Sequence, residues 1–565
     1  MSAIPPTLDP DATGGAGVVA AATAAGVDTL FTLSGAHVFP VYDAATRGAT
    51  PMRMIDVRHE ASAVFAAEAV GKLTRRPGLA VVTAGPGVTN ALSPITQAHF
   101  SGAPLVVVGG RAPEATWGRG ALQELDQAPI FASVTKSSQT VRSPDGVRAA
   151  TAAALAEAGS PHRGPVFLEA GIDVLFGPAA TDAAGDGDAA GGRGTAAHGQ
   201  GGTPGRGIDP DAVAAVAELL RTARRPVLVL GSDVWADGAD DAARRMAEYL
   251  DLPVISNGMG RGILAATHPG NVVKARRDAF AGADLVLVVG TPLDFRLGYG
   301  TFGPKDAPAA VVHIADSPGQ LVGHREVAAR VAGDLQAILD ALTERVGGPG
   351  DWATWRAQLR DAATAAAAAD RELMTAAGET IHPARIYGEL LPRLDDAAIV
   401  IGDGGDFVSW AGRLVEPAAP GRWLDPGPFG CLGAGLGAAI GARAADPDSP
   451  IVLLLGDGAA GMSLMDLDTL VRHDLPVVVV VGNNSAWGLE KHPMRSLYGY
   501  DVLADLAPGT RYDEVARALG ADGELVSAPA ELGAALDRAL AAGAPYVVNV
   551  LTDPEVAYPR STTGL

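Results

Sequence analysis

Ile451-Val-Leu-Leu-Leu-Gly456-Asp457-Gly458 is an apolar run that ends in an aspartate between two glycines, and Val477-Val-Val-Val-Val-Gly482-Asn483-Asn484 answers it downstream. Short, uninterrupted apolar runs of this kind read as strands buried on both faces, as in a parallel sheet. Twenty-four residues separate the two motifs. That is enough for a loop, a helix predicted over about 462–473 and the return strand of one βαβ unit. Both motifs therefore fall side by side at the carboxyl edge of one sheet, where doubly wound folds bind ligands. An aspartate and an asparagine there are hard oxygen ligands, suited to Mg²⁺ or Ca²⁺ carrying a diphosphate. The glycines let the backbone come close to phosphate. A lone Gly-Asp-Gly recurs in many α/β proteins; the paired spacing is what gives it weight.

Outward from this unit the chain reads as repeated strand–helix alternation, which predicts an α/β protein of three doubly wound parallel-sheet domains. Strands are expected at 79–83, 104–108 and 165–168 in a first domain (1–177). A second (208–346) has them at 226–230, 285–289 and 310–314. A third (378–553) has them at 398–401, 451–455, 477–481 and 546–551. Residues 178–207, rich in Gly, Ala, Asp and Thr, read as a flexible linker. Residues 347–377 read as a helical connection, and 554–565 as a C-terminal tail able to act as a lid, with Tyr558 and Arg560 as its contacts.

The chain has 565 residues and a formal net charge of −21, which disfavours nucleic acid as the main partner and leads us to expect a cytoplasmic protein. A single cysteine, Cys431, excludes an intrachain disulfide framework. Apolar runs of about eight residues are too short to span a membrane. Pro5, Pro6 and Asp9 interrupt any signal-like segment near Met1.

The Gly-Asp-Gly and Asn-Asn pair resembles the diphosphate and metal signature of thiamine-diphosphate (ThDP) enzymes. That resemblance implies Mg²⁺ on the side chains of Asp457 and Asn484 and on the Ala486 carbonyl, with Gly456 and Gly458 beside the diphosphate. Asp56-Val-Arg-His-Glu60 ahead of a helix, followed by Thr83-Ala-Gly85-Pro-Gly-Val-Thr-Asn90, resembles the family's pyrimidine-binding domain. In that family the glutamate matching Glu60 bonds the aminopyrimidine and activates the cofactor, with Gly85 and Asn90 nearby. Taken alone, Glu60 is a first-turn glutamate favoured by the helix dipole. Gly402-Asp-Gly404-Gly405-Asp406 and Asp425-Pro-Gly-Pro-Phe-Gly430-Cys-Leu432-Gly433 match the loops that hold diphosphate and pyrimidine, with Leu432 as the apolar wedge. Glu490, six residues past Asn484, matches an acid/base glutamate, while His37 and Gln123 resemble residues facing the reacting carbon. The family's cofactor lies between two chains, which implies a homodimer at least and points to a homotetramer.

The resemblance lies with the acetolactate-synthase-like branch and is closest to 2-hydroxyacyl-CoA lyases of the 2-hydroxyisobutyryl-CoA type. Ile172 stands where acetolactate synthases usually carry a lysine, and the segment after Asn484 lacks their Glu-Glu-Gln-Gly-Met-Val run. Asp403-Gly-Gly-Asp-Phe407 and Trp423-Leu-Asp-Pro-Gly-Pro-Phe-Gly430 look like the lyases. The expected reaction cleaves a 2-hydroxyacyl-CoA to formyl-CoA and a ketone or aldehyde. The second domain is then expected to hold ADP or the CoA adenosine, through Arg261, Lys274, Arg276 and Arg277 on phosphate and Asp316 on ribose. A solvated basic face is the plain alternative for those cations. Acetolactate synthase, and a non-catalytic nucleotide-binding subunit, are the competing readings of the whole chain.

Overall fold

The computed structural model describes residues 9–180 and 206–559. Residues 181–205 of the expected linker, and Arg560 with the rest of the tail, lie outside the described residues. The fold is α/β, with three parallel sheets.

The first sheet contains β1 (Thr29–Thr32), β2 (Arg53–Asp56), β3 (Gly78–Val82), β4 (Leu105–Arg111), β5 (Ser138–Val141) and β6 (Pro165–Gly171), in the order 2-1-3-4-6-5. The second contains β7 (Pro226–Leu230), β8 (Val254–Ser256), β9 (Leu285–Val289), β10 (Ala310–Ala315) and β11 (Ala329–Ala332), in the order 11-10-9-7-8. The third contains β12 (Ile399–Asp403), β13 (Trp423–Leu424), β14 (Ile451–Gly456), β15 (Val478–Asn483), β16 (Asp522–Val526) and β17 (Tyr546–Leu551), in the order 13-12-14-15-17-16. In each sheet the chain first moves outward by one strand and then returns to the other side of its starting strand. The order thus reverses between β1 and β3, between β7 and β9, and between β12 and β14. A crevice opens at such a reversal because the two connections leave in opposite directions.

The central strands are sealed on both faces, so their apolar runs are the core itself: Val452 to Leu455 and Val479 to Val481 are fully buried. One apolar core is shared by the first and third domains, running from Phe31, Ile55 and Ala63 to Leu436, Ile440 and Leu453. The Glu60–Thr74 and Gly435–Ala445 helices cross inside it. They approach so closely that a Cβ on Gly441 would lie 2.1 Å from the Ala66 carbonyl oxygen, and one on Gly437 would lie 2.8 Å from the Phe65 Cβ. The second domain has its own core. No helix among the described residues is long and apolar enough to cross a membrane.

One local expectation needs correcting. The helix after Gly456 does not wait until 462: Asp457–Ser463 is helical, a tight turn covers Leu464–Asp466, and a second helix spans Leu467–Arg472. Asp457 is thus the first residue of a helix, where a carboxylate is favoured by the dipole.

Candidate active site

The two motifs read first in the sequence meet in register, with Gly456 paired to Gly482 and Leu455 to Val481. At that edge Asp457 is 2% exposed. One carboxylate oxygen accepts from the Gly458 amide at 3.1 Å. The amides of Ser485 and Ala486 also face the carboxylate, yet burial outweighs them and pushes the Asp457 carboxyl up to about 6. The other oxygen, Oδ2, has no hydrogen-bond partner among the described residues. Asn484 lies across the gap, its Oδ1 accepting from the Ala486 amide at 3.1 Å. Ser485 sits in the left-handed region (φ 56°), and this turns the chain back toward Asp457.

A cavity of about 300 Å³ opens beside them. Its lining includes Gly404, Gly405, Asp406, Gly430, Leu432, Gly456, Gly458 and Glu490. Every residue that the sequence assigned to diphosphate, cation or wedge therefore reaches one cavity. Several glycines are required by space as well as by conformation. Gly404 has φ +106°, and a Cβ on Gly405 or Gly458 would meet Leu489 at 2.6 Å or the Trp487 ring at 2.5 Å. An unpartnered buried carboxylate oxygen, an opposing amide side chain and a glycine floor suit a hard divalent cation with a diphosphate. The residues present fit the group. Asp403, fully buried below the floor, accepts from the amides of Gly433 (3.2 Å) and Gly435 (2.7 Å) and so ties the Leu432 loop to β12.

Glu490 is the third residue of the Gly488–Tyr498 helix and is exposed along the cavity. The tail passes nearby: the Tyr558 amide donates to Asp406 Oδ1 at 2.9 Å, and its ring packs edge-on against Trp410. Burial pushes the Cys431 thiol up to about 11, which suits a packing residue better than a nucleophile.

The first domain builds a second cluster at its own switch point. Glu60 opens the Glu60–Thr74 helix, 7% exposed, and accepts from Asn90 Nδ2 at 2.9 Å. His37 lies in the short turn Ala36–Val38 that follows β1, with Nδ1 3.2 Å from the Oγ1 of Thr83 just past β3, and burial lowers its pKa. Gly85 (φ +62°) backs onto Gln123, itself left-handed at φ 60°. Sequence reasoning missed Gln127, which fastens this loop: its Oε1 accepts from the Gly85 amide (2.7 Å), and its Nε2 donates to the Gly110 carbonyl and to Glu169. Nothing local marks a glutamine as such a brace. None of the described residues lining the diphosphate cavity comes from the first domain, so the two clusters stand as separate half-sites among the described residues of the chain.

The second switch point opens onto a larger cavity, about 380 Å³, with walls from all three domains. Ser232, Gly290 and Thr291 form its middle-domain edge, and Lys72, Lys136, Arg163 and Arg296 bring cations to it. The cations expected there do not line it. Arg261 donates to the Val415 carbonyl and lies 4.5 Å from the Trp423 ring centroid. Lys274 pairs with Asp370 at 2.8 Å and donates to the Arg413 carbonyl. Arg276 donates to the Arg296 carbonyl and packs on Phe280. Arg261 and Lys274 thus fasten the second domain to the third, and Arg276 fastens a loop; Arg277 is exposed on the same short helix. Asp316 is 1% exposed and bonds His162 Nδ1 at 3.1 Å, one residue behind the cavity wall.

Comparison with known proteins accords with this geometry. Models of the N-terminal TPP binding domain, the central domain and the C-terminal TPP binding domain of thiamine pyrophosphate enzymes match residues 12–130, 213–342 and 403–550. The chain is 46% identical over 547 residues to the acetolactate synthase large subunit IlvG of Mycobacterium tuberculosis, covering 95% of each chain. It is 35% identical to the 2-hydroxyacyl-CoA lyase 2 of Caenorhabditis elegans, covering 91% of this chain and 84% of that one. Identity to the Bos taurus protein of the same name is also 35%, with 91% and 85% covered. With its two half-sites and its three matched domains, the chain belongs to the thiamine pyrophosphate enzyme family.

Proposed function

We propose that this protein is a ThDP-dependent carbon–carbon lyase that cleaves a 2-hydroxyacyl-CoA to formyl-CoA and a ketone or aldehyde. The observation that carries the reading is Glu490, a carboxylate lining the same cavity as Asp457 and Asn484. Asp457, Asn484 and the Ala486 carbonyl would hold Mg²⁺, with Gly404, Gly405, Gly456 and Gly458 around the diphosphate and Leu432 beneath the cofactor. Glu60 would bond the aminopyrimidine, with Asn90 holding the carboxylate. The cofactor, when bound, supplies a carbon nucleophile and an electron sink at its thiazolium C2. Glu490 would take the proton of the substrate's 2-hydroxyl as the C1–C2 bond breaks and return it to the carbon that leaves as formyl-CoA. Atoms balance without any redox step. His37 and Gln123 would face the reacting carbons from the first domain. The CoA nucleotide would enter the cavity between the domains, which Lys136, Arg163 and Arg296 line where Arg261, Lys274 and Arg276 do not, although each of the three also has an internal acceptor, at the Ser160 carbonyl, Asp237 and Asp294.

Acetolactate synthesis is the second reading, favoured by the 46% identity to the mycobacterial protein of that name. Against it, Ile172 offers no cation to the carboxylate of a 2-oxoacid. One assay separates the two: purified protein with ThDP and Mg²⁺ is given either 2-hydroxyisobutyryl-CoA or pyruvate, and products are identified by mass spectrometry. Formyl-CoA and acetone from the former, with no acetolactate from the latter, are expected. Acetolactate from pyruvate beside an inert CoA ester would overturn the lyase.

A further inference from the structure

Glu60 can act on a cofactor only if the first turn of its helix is held at the right rotation, and the first domain supplies few of the bonds that hold it. His59 caps the helix by accepting from the Ala61 amide at 3.1 Å. Asn90 fixes one end of the Glu60 carboxylate. The Ser62 amide donates to the His59 carbonyl at 2.9 Å, and a further restraint comes from the third domain, some four hundred residues along the chain. Asp466 ends the tight turn between the Asp457–Ser463 and Leu467–Arg472 helices. Its Oδ1 accepts from the Arg58 amide at 2.7 Å, and its Oδ2 accepts from the Ser62 hydroxyl. One carboxylate thus bridges the residues two places before and two places after Glu60.

The bridge is itself anchored. Thr469 Oγ1 lies 3.2 Å from Asp466 Oδ1 and 3.3 Å from the Asp56 carbonyl oxygen. Arg472 and His473 hold the Asp56 carboxylate from the same helix end. Asp466 is 2% exposed and Ser62 4%. A buried bond in that position is stiff, because no water can replace a lost partner.

We propose that Asp466 is a positioning residue for Glu60, setting the rotation of the first helical turn so that the carboxylate meets the aminopyrimidine. The proposal rests on the reading of Glu60 as the cofactor-activating group. It differs from a plain interdomain tie in what it predicts: loss of Asp466 should slow activation in enzyme that is folded and loaded. Displacement of a catalytic group by about 1 Å costs on the order of 100-fold.

The test uses full-length holoenzyme of wild type, Asp466→Ala, Asp466→Asn, Ser62→Ala and Glu60→Gln. Deuterium exchange at C2 of bound ThDP, followed by NMR after acid quench, needs no substrate and is indifferent to lyase or synthase chemistry. Amide hydrogen exchange over residues 58–64 is measured on cofactor-free protein. Asp466→Ala should slow C2 exchange roughly 10- to 100-fold at full ThDP occupancy and loosen the 58–64 amides. Asp466→Asn should recover most of both, since its Oδ1 still accepts from Arg58 and its Nδ2 can donate to the Ser62 oxygen. Should Asp466→Ala not fold, Ser62→Ala, which removes one arm of the bridge, carries the test with a smaller slowing. Wild-type C2 exchange in the folded Asp466→Ala and Ser62→Ala proteins overturns the proposal. So does a slowing that only tracks lost cofactor. Unchanged exchange in Glu60→Gln would instead defeat the reading of Glu60.

Discussion

Glu490 and Glu60 are both first-turn glutamates, and the dipole at a helix start favours a carboxylate in either place. Their surroundings part them. Glu60 is buried and bonded to Asn90, whereas Glu490 is exposed along the cavity. A buried, fixed carboxylate suits a constant contact with a cofactor; an exposed one suits proton exchange with a substrate that comes and goes. Glu490→Ala should therefore lower kcat by about 10²- to 10⁴-fold while ThDP content stays at the wild-type level. Steady-state turnover of the CoA ester, set beside cofactor content by mass spectrometry, checks this; unchanged turnover removes Glu490 from the mechanism. At this scale the sequence is readable where a site is local. Asp457 and Asn484 could be found because one βαβ unit brings them together within thirty residues. Gln127, Thr83 and Asp466 could not, because each is chosen by a partner that only the folded chain brings near, as when Asp466 meets Arg58 and Ser62. The basic residues of the middle domain misled for the converse reason. A cation in an acidic chain looks like a phosphate ligand until its internal acceptor is seen, and Lys274 has Asp370.

At the scale of elements, the strands anticipated from apolar runs are the central ones, and those missed lie almost entirely at sheet edges. β2, β5, β8, β11, β13 and β16 each end a sheet, while β1 is the one interior strand that was missed. An edge strand has one neighbour and one face near water, so polar residues enter it and the run is broken, as in Ser138–Val141. β1 is buried but only four residues long and begins and ends in threonine. The element that closes the floor of the diphosphate cavity, β12 with Asp403 at its end, carries a testable consequence. Burial pushes the Asp403 carboxyl from 3.8 up to about 6, against the pull of the Gly433, Gly435 and Gly404 amides. A raised folded-state pKa contributes stability that is complete below the unfolded value and is lost as pH rises through the folded one. Relative to Asp403→Asn, the wild type should lose roughly 2 kcal/mol between pH 4 and 7, most of it by pH 6. Urea midpoints of both proteins across that range, at one protein concentration, measure it; parallel curves would show that Asp403 does not titrate there.

For the whole molecule, the decisive feature is that the Glu60 cluster and the diphosphate cavity share none of the described residues although they belong to one chain. The first and third domains are joined through a common core and through Gly437 and Gly441, so neither half-site can swing freely toward the other. A second copy related by a two-fold axis would complete both half-sites, each chain lending its first domain to the other's third, and this is the arrangement we propose. Complementation tests this. Glu60→Gln and Asp457→Ala chains, each inactive alone, are unfolded, mixed in equal amounts and refolded. If the site is shared between chains, a mixed dimer holds one site with both lesions and one with neither. Random reassortment should then restore about a quarter of wild-type activity. If each site were built within one chain, every site would carry a lesion and the mixture would stay inactive. Mixing without refolding serves as the control, since recovery there requires chain exchange and its rate would report how tightly the pair is held.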